Sequence, residues 1–259
     1  MLSVISPAKS LDFSSPLPKE PWTEPRFLDQ TLTLAQTLKG FSPGELGRLM
    51  GLSEKLSELN HQRYQSFALP LASPNARPAL WAFDGDVYQG IGVASLQPKE
   101  RRYLNQKVRV LSGFYGLLRP FDLILPYRLE MGTKLATAQA KDLYGFWGPD
   151  LTLALKTELL EHSTEVLVNL ASQEYFKAIQ PKLLGTPVVC PEFLDPNPQG
   201  QLKVISFFAK KARGLMCRFI AQEGIDRPQG LLDFALEGYR YAPKLSKPEK
   251  PVFTREKQT

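Results

Sequence analysis

The spacing of apolar residues changes character several times along the chain. Leu2 to Ser6 is a short apolar run stopped by Pro7, which predicts a strand. From Phe27 to Lys39 the apolar positions 28, 31/32, 35 and 38 follow one helical face. Ser42-Pro-Gly-Glu45 then opens a second helix with a capping box and a proline at its first position. Ser53 caps a third helix running to about Phe67. Leu80–Phe83 and Val108–Leu111 read as strands. Pro149 opens a helix with Leu151, Leu155 and Leu159 on one face. Val166–Leu170, Val188–Cys190 and Lys203–Phe208 read as strands, and Ala209–Gln222 as a helix. Strands mostly alternate with helices, so the predicted fold class is α/β (α+β), a single domain with a mixed β-sheet core surrounded by helices. Residues 1–241 make that domain, and residues 242–259 read as an extended Pro/Lys-rich C-terminal tail.

Composition narrows the class. With 43% hydrophobic and 22% charged residues in 259, the chain has the makeup of a globular protein and not of a disordered one. Prolines outnumber glycines, 22 to 18, which implies stiff, sharply punctuated connections. Two cysteines, Cys190 and Cys217, cannot build a disulfide framework or a four-thiolate zinc site. Two histidines, His61 and His162, leave little room for zinc or Ser-His-Asp chemistry, so no metal and no cofactor is expected. His61 should face solvent, and His162 should meet the dipole at a helix C-terminus. Cys217 reads as a small filler in a basic helix. The opening apolar run has no basic stretch before it and so is not a signal peptide. No apolar run reaches 18 residues, so no membrane span is predicted and a cytoplasmic location is expected.

Charge is informative only at fine scale. The chain is +6 overall and each half is +3. Three segments hold the excess: Lys99–Arg119 at +5, Lys203–Arg218 at +5 with no acid, and Arg240–Thr259 at +4. The second is the best patterned. Phe208, Ala212, Leu215 and Phe219 form one apolar stripe, and Lys210, Lys211, Arg213 and Arg218 fall off it. Cations fixed along a rigid element suit a phosphate backbone. Arg101 and Arg102 belong to the first basic segment and are candidates for the same surface.

Leu46 to Ser57 reads as helix, tight turn, helix, with Gly51 ending the first helix and Ser53 starting the second. This N-terminal element resembles a helix-hairpin-helix, in which backbone N–H groups at the second helix grip a phosphate; Gly51, Ser53 and Lys55 are its candidate contacts. Ser53 stands where that motif has a second glycine, Asn60 where it has an apolar residue, and Glu45, Glu54 and Glu58 lie close by.

Glycine, arginine, aspartate and tyrosine are dense between Phe83 and Gly132. Asp84 and Asp86 flank a glycine after a strand; Arg119, Asp122, Arg128 and Glu130 are either site residues or structural ion pairs. Lys9 follows the first strand, and a desolvated lysine there would serve as a Schiff-base nucleophile. Lys9, Asp84, Asp86, Arg119 and Arg128 are therefore the candidate catalytic residues.

Six ordered blocks resemble the YaaA family of peroxide-stress resistance proteins: Ile5-Ser-Pro-Ala-Lys-Ser-Leu-Asp12, Asp84-Gly-Asp-Val-Tyr88, Leu111-Ser-Gly-Phe-Tyr-Gly-Leu-Leu-Arg-Pro120, Pro126-Tyr-Arg-Leu-Glu-Met-Gly132, Asn169-Leu-Ala-Ser-Gln-Glu-Tyr-Phe-Lys177 and Ser206-Phe-Phe-Ala-Lys-Lys-Ala-Arg-Gly214. The resemblance spans about residues 1–240 and implies a cytoplasmic bacterial protein protective against hydrogen peroxide. It also implies limitation of free iron and of oxidative DNA damage, and DNA binding through a positively charged cleft and a helix-hairpin-helix. It brings no catalytic residue with it. Two functions follow. One is binding of duplex or distorted DNA, largely without sequence specificity. The other is an enzyme acting on damaged DNA or a phosphorylated small molecule at the Lys/Asp/Arg loops.

Overall fold

The computed structural model of the protein describes residues 1–71 and 75–256. The strands are Leu2–Ile5 (β1), Ser10–Leu11 (β2), Arg77–Pro78 (β3), Phe83–Asp84 (β4), Val108–Ser112 (β5), Gly116–Leu118 (β6), Leu123–Ile124 (β7), Leu167–Leu170 (β8), Val188–Val189 (β9), Glu192–Pro196 (β10), Leu202–Lys203 (β11), Arg240–Tyr241 (β12) and Val252–Thr254 (β13). The helices are Leu28–Lys39 (α1), Pro43–Met50 (α2), Glu54–Gln65 (α3), Ala79–Ala82 (α4), Asp86–Ile91 (α5), Pro98–Lys107 (α6), Leu143–Trp147 (α7), Asp150–Leu159 (α8), Gln173–Phe176 (α9), Pro181–Leu184 (α10) and Ser206–Glu223 (α11).

Every residue of β1 is buried. A strand apolar on both faces needs cover on both, and so belongs at the centre of a parallel sheet. β1 sits there, paired in parallel with β5 on one side and β8 on the other. The sheet runs β6-β5-β1-β8-β9, with β6 antiparallel at one edge. A second sheet runs β11-β10-β13-β12, and two small ladders join β2 to β4 and β3 to β7. The fold is thus a mixed α/β domain with one continuous apolar core, as the alternation of elements predicts.

Local signals hold where the chain carries its own caps. Ser42 and Glu45 form a reciprocal capping box at α2, and Ser53 Oγ accepts from Leu56 N at the start of α3. Gly51 takes the left-handed conformation between them, with φ 62°. Two strand expectations fail. Leu80–Phe83 begins as a helical turn, because Ala79–Ala82 are buried all round and a short run without polar alternation has no period to read. Lys203–Phe208 ends as a strand at Lys203, and α11 starts at Ser206, earlier than expected. Phe207 and Phe208 have the bulk of strand residues but stand exposed at the helix start. The predicted apolar stripe is therefore buried at Ala212, Leu215 and Phe219 and not at Phe208.

The Pro/Lys-rich stretch is less peripheral than its composition implies. Val252 and Phe253 are buried, and β13 lies between β10 and β12. The final positions of that stretch, 257–259, fall outside the described residues.

Candidate functional site

β1, β5 and β8 run in parallel, so their carboxyl ends meet along one edge of the sheet. Ligands of open α/β sheets bind outside such an edge, where neighbouring chain segments leave in opposite directions. A cleft of about 530 Å³ lies there. Its floor is polar and cross-linked. Ser6, just past β1, donates through Oγ to Ser172 Oγ at 3.3 Å, and Ser172 N donates to Ser6 Oγ at 2.9 Å. Tyr88 Oη donates to Ser6 O at 3.1 Å, and Tyr127 Oη and Ser112 Oγ share a hydrogen bond of 2.7 Å. Burial pushes the phenols of Tyr88, Tyr127 and Tyr175 up, so the tyrosines are neutral walls and not anions.

Charge enters from several separate segments. Lys9 and Arg128 come from the loops after β1 and before Glu130, and both hold Glu130, at 2.9 and 3.0 Å. Asp84 and Asp86 come from β4 and the first turn of α5. Lys210 and Arg213 come from α11. Glu174 completes the set and accepts from Gly132 N at 2.9 Å. Four cations thus face four carboxylates, but they are not paired one to one. Glu130 answers two cations and Glu174 is bound to backbone. Asp84, Asp86, Lys210 and Arg213 form no ion pair among the described residues. Burial draws the Arg213 pKa down, yet a guanidinium stays charged at neutral pH.

A close helix crossing brings α11 to this edge. A methyl added at Gly214 would overlap Val87 O, and one at Gly90 would overlap Lys211 O. Two glycines let the backbones of α5 and α11 touch, which brings Arg213 and Lys210 into the lining of the same cleft as Asp86.

The sequence-based candidates therefore divide. Lys9, Asp84, Asp86, Arg128, Lys210 and Arg213 line one cleft, although the sequence assigns them to two separate hypotheses. Arg119 lies elsewhere, holding Asp122 at 3.0 Å and Glu24 O at 3.1 Å. Arg101 is held by Glu20 and Leu96 O, both at 2.5 Å. Arg218 donates to Ser95 Oγ at 2.8 Å and to Ile91 O at 3.1 Å, closing the end of α5. Lys211 pairs with Glu237 at 2.6 Å. Arg102 is exposed on α6. Gly51, Ser53 and Lys55 are exposed at the turn between α2 and α3, where Lys55 shares a groove with Arg48, Glu54 and Glu58.

The two arginine–carboxylate alternatives read from the central loops both exist as pairs, Arg119–Asp122 and Arg128–Glu130. Lys9 is well exposed and ion-paired with Glu130, so it is not the desolvated lysine that a Schiff-base nucleophile requires. Ser6, Ser172, Tyr88 and Glu174 line the cleft without having stood out. All four lie within the blocks that carry the family resemblance, and that is the signal that marks them. Cys217 is fully buried and its thiol is pushed up to about 12, which makes it a filler. His61 is half-buried, with Nδ1 3.0 Å from Phe41 O, and so does not simply face solvent. Among the described residues no cluster of three or more His, Cys, Asp or Glu has the placement of a metal site, and no helix is long and apolar enough to cross a membrane.

Residues 1–245 match a family model described as peroxide stress protein YaaA. The chain is also 49% identical over 256 residues to a UPF0246 protein of Hahella chejuensis, covering 99% of this chain and 100% of the relative. It is 49% identical over 256 residues to a UPF0246 protein of Tolumonas auensis, covering 98% of each. A UPF0246 protein of Laribacter hongkongensis is 46% identical over 257 residues, covering 99% of this chain and all of the relative.

Proposed function

We propose, from the premise that this chain belongs to the peroxide stress protein YaaA family, that its role in peroxide stress is exercised on DNA held in the cleft. The observation that carries this reading is the pair Lys210 and Arg213. Two cations on a rigid helix, without acidic partners among the described residues, face a polar cleft at the carboxyl edge of the sheet. Such groups gain by displacing counterions from a phosphate backbone, a gain that does not depend on base sequence. Lys9 and Arg128 extend the row, with Glu130 holding them in place. The turn at Gly51–Lys55 is a second anchor, and exposed Arg102 a peripheral contact. Bound in this way in the cytoplasm, the protein shields DNA from iron-dependent oxidation.

The test is a salt titration of duplex binding by fluorescence anisotropy. Each phosphate contact contributes about 0.9 to the log–log slope, so Lys210→Ala/Arg213→Ala should flatten it by about 2. Lys211→Ala, whose partner is Glu237, should change it little. An unchanged slope in the double variant contradicts the assignment.

A second reading rests on Asp84 and Asp86, which face the same cations without ion-pair partners among the described residues. They would act as acid and base on damaged DNA or a phosphorylated small molecule. Borohydride trapping on abasic-site DNA tests the variant of this reading that uses Lys9. An adduct lost in Lys9→Ala supports it, and no adduct removes Lys9.

A further inference from the structure

All fifteen phenylalanines lie within the described residues, and only Phe207 and Phe208 are exposed. The two are not equivalent. Phe208 carries the Arg255 guanidinium over its ring, 4.4 Å from the centroid. Phe207 meets Phe208 edge-on at 5.6 Å and is 55% exposed. It stands one helical turn before Lys210 and Lys211, as their i, i+3 and i, i+4 neighbour. Leu202 and Val204, also exposed, flank the same end of α11. From Lys203 to Arg218 there is no acid.

A large aromatic ring held in water has a cost, and burial against a ligand removes it. The charge around Phe207 chooses the ligand. An apolar protein partner would bring the patch a neighbour but give Lys203 and Lys210 nothing to neutralise. A nucleic-acid strand supplies both, a phosphate for each cation and a base face for the ring. In a paired duplex the base faces are stacked on one another and out of reach. Only an unpaired base can leave its stack and settle on a side chain.

We propose that Phe207 is a stacking platform for an unpaired base, so that the cleft holds single-stranded or locally opened nucleic acid more tightly than intact duplex. The proposal rests on the DNA reading of the cleft and adds to it the residue that discriminates between substrate structures. Phosphates of the strand lie along Lys210 and Arg213 in the cleft, and a base just outside its lining lies on Phe207, one turn before Lys210. The neighbouring Phe208, fixed by Arg255, holds the ring of Phe207 from its edge.

The experiment compares wild type with Phe207→Ala and Phe207→Trp on two probes, labelled oligothymidylate and a labelled duplex of equal length. Stacking on one aromatic side chain corresponds to about tenfold in affinity. Phe207→Ala should therefore weaken oligothymidylate binding about tenfold, leave duplex binding unchanged and keep the wild-type melting temperature, since the ring is exposed. Phe207→Trp should retain or tighten oligothymidylate binding. If wild type binds neither probe, the DNA reading itself fails. If it binds duplex with the expected salt slope, but Phe207→Ala holds oligothymidylate as well as wild type or weakens both probes equally, the stacking role alone is overturned.

Discussion

At the scale of single residues, the buried charges are the most sharply defined features. Glu158 on α8 accepts from Arg109 Nε at 2.5 Å and from Arg26 at 2.8 Å, and Arg109 stands inside the central sheet on β5. Removing the carboxylate leaves a buried guanidinium with only the carbonyls of Asn105 and Val108. Glu158→Gln should lower stability by about 3 kcal/mol in urea unfolding, and an unshifted midpoint would contradict this role. His162 makes a different point. Burial, reinforced by Lys107, the Met1 amine and Arg109, draws its pKa down to about 4. Lys107 Nζ donates to its Nδ1 at 3.1 Å, which requires the neutral ring. The helix-end dipole expected from the sequence is outweighed by burial and, after it, by those cations. In the unfolded chain the ring takes a proton below about 6.5, in the fold only below about 4. Its contribution to stability is therefore complete above pH 6.5 and is lost progressively as pH falls toward 4. His162→Gln should flatten the fall of melting temperature across that window, and an equally steep fall would count against it.

Elements whose signals are local were legible in the sequence. The capping box at Ser42, the cap at Ser53 and the left-handed Gly51 each need only their own few residues, so α2 and α3 stand where spacing puts them. The crossing of α5 and α11 was not legible. Gly90 looks like a turn glycine and Gly214 like a weak point in a helix, and neither reveals that it faces the other. Their role predicts a contrast. Gly214→Ala must push the α5 and α11 backbones apart, and should cost about 3 kcal/mol and weaken binding in the cleft by moving Lys210 and Arg213. Gly44→Ala in α2 meets only the Arg48 side chain at 3.7 Å and should be neutral or slightly stabilising. Thermal melts of both variants decide it; equal melting temperatures would mean that the crossing is not tight.

For the whole molecule, the sequence carries the fold class and the family, while the site emerges only from topology. Lys9, Asp84, Arg128 and Lys210 are scattered across most of the chain, and no window of sequence contains two sides of the cleft. The segment charges partly mislead for the same reason. Arg101, Arg119 and Arg218 count toward positive stretches, but each is used to fasten one segment to another. What remains at the cleft is a balanced set of charges, unevenly paired.

The central position of β1 has a consequence in time. Its two neighbours, β5 and β8, are remote in sequence, and the serines that cross-link the cleft floor, Ser6 and Ser172, are 166 residues apart. Parallel pairing over such separations closes long loops before any contact rewards them, and chains of this kind refold slowly. Recovery of ligand binding after dilution from denaturant should therefore coincide with the slowest phase of sheet formation seen by circular dichroism, and not precede it.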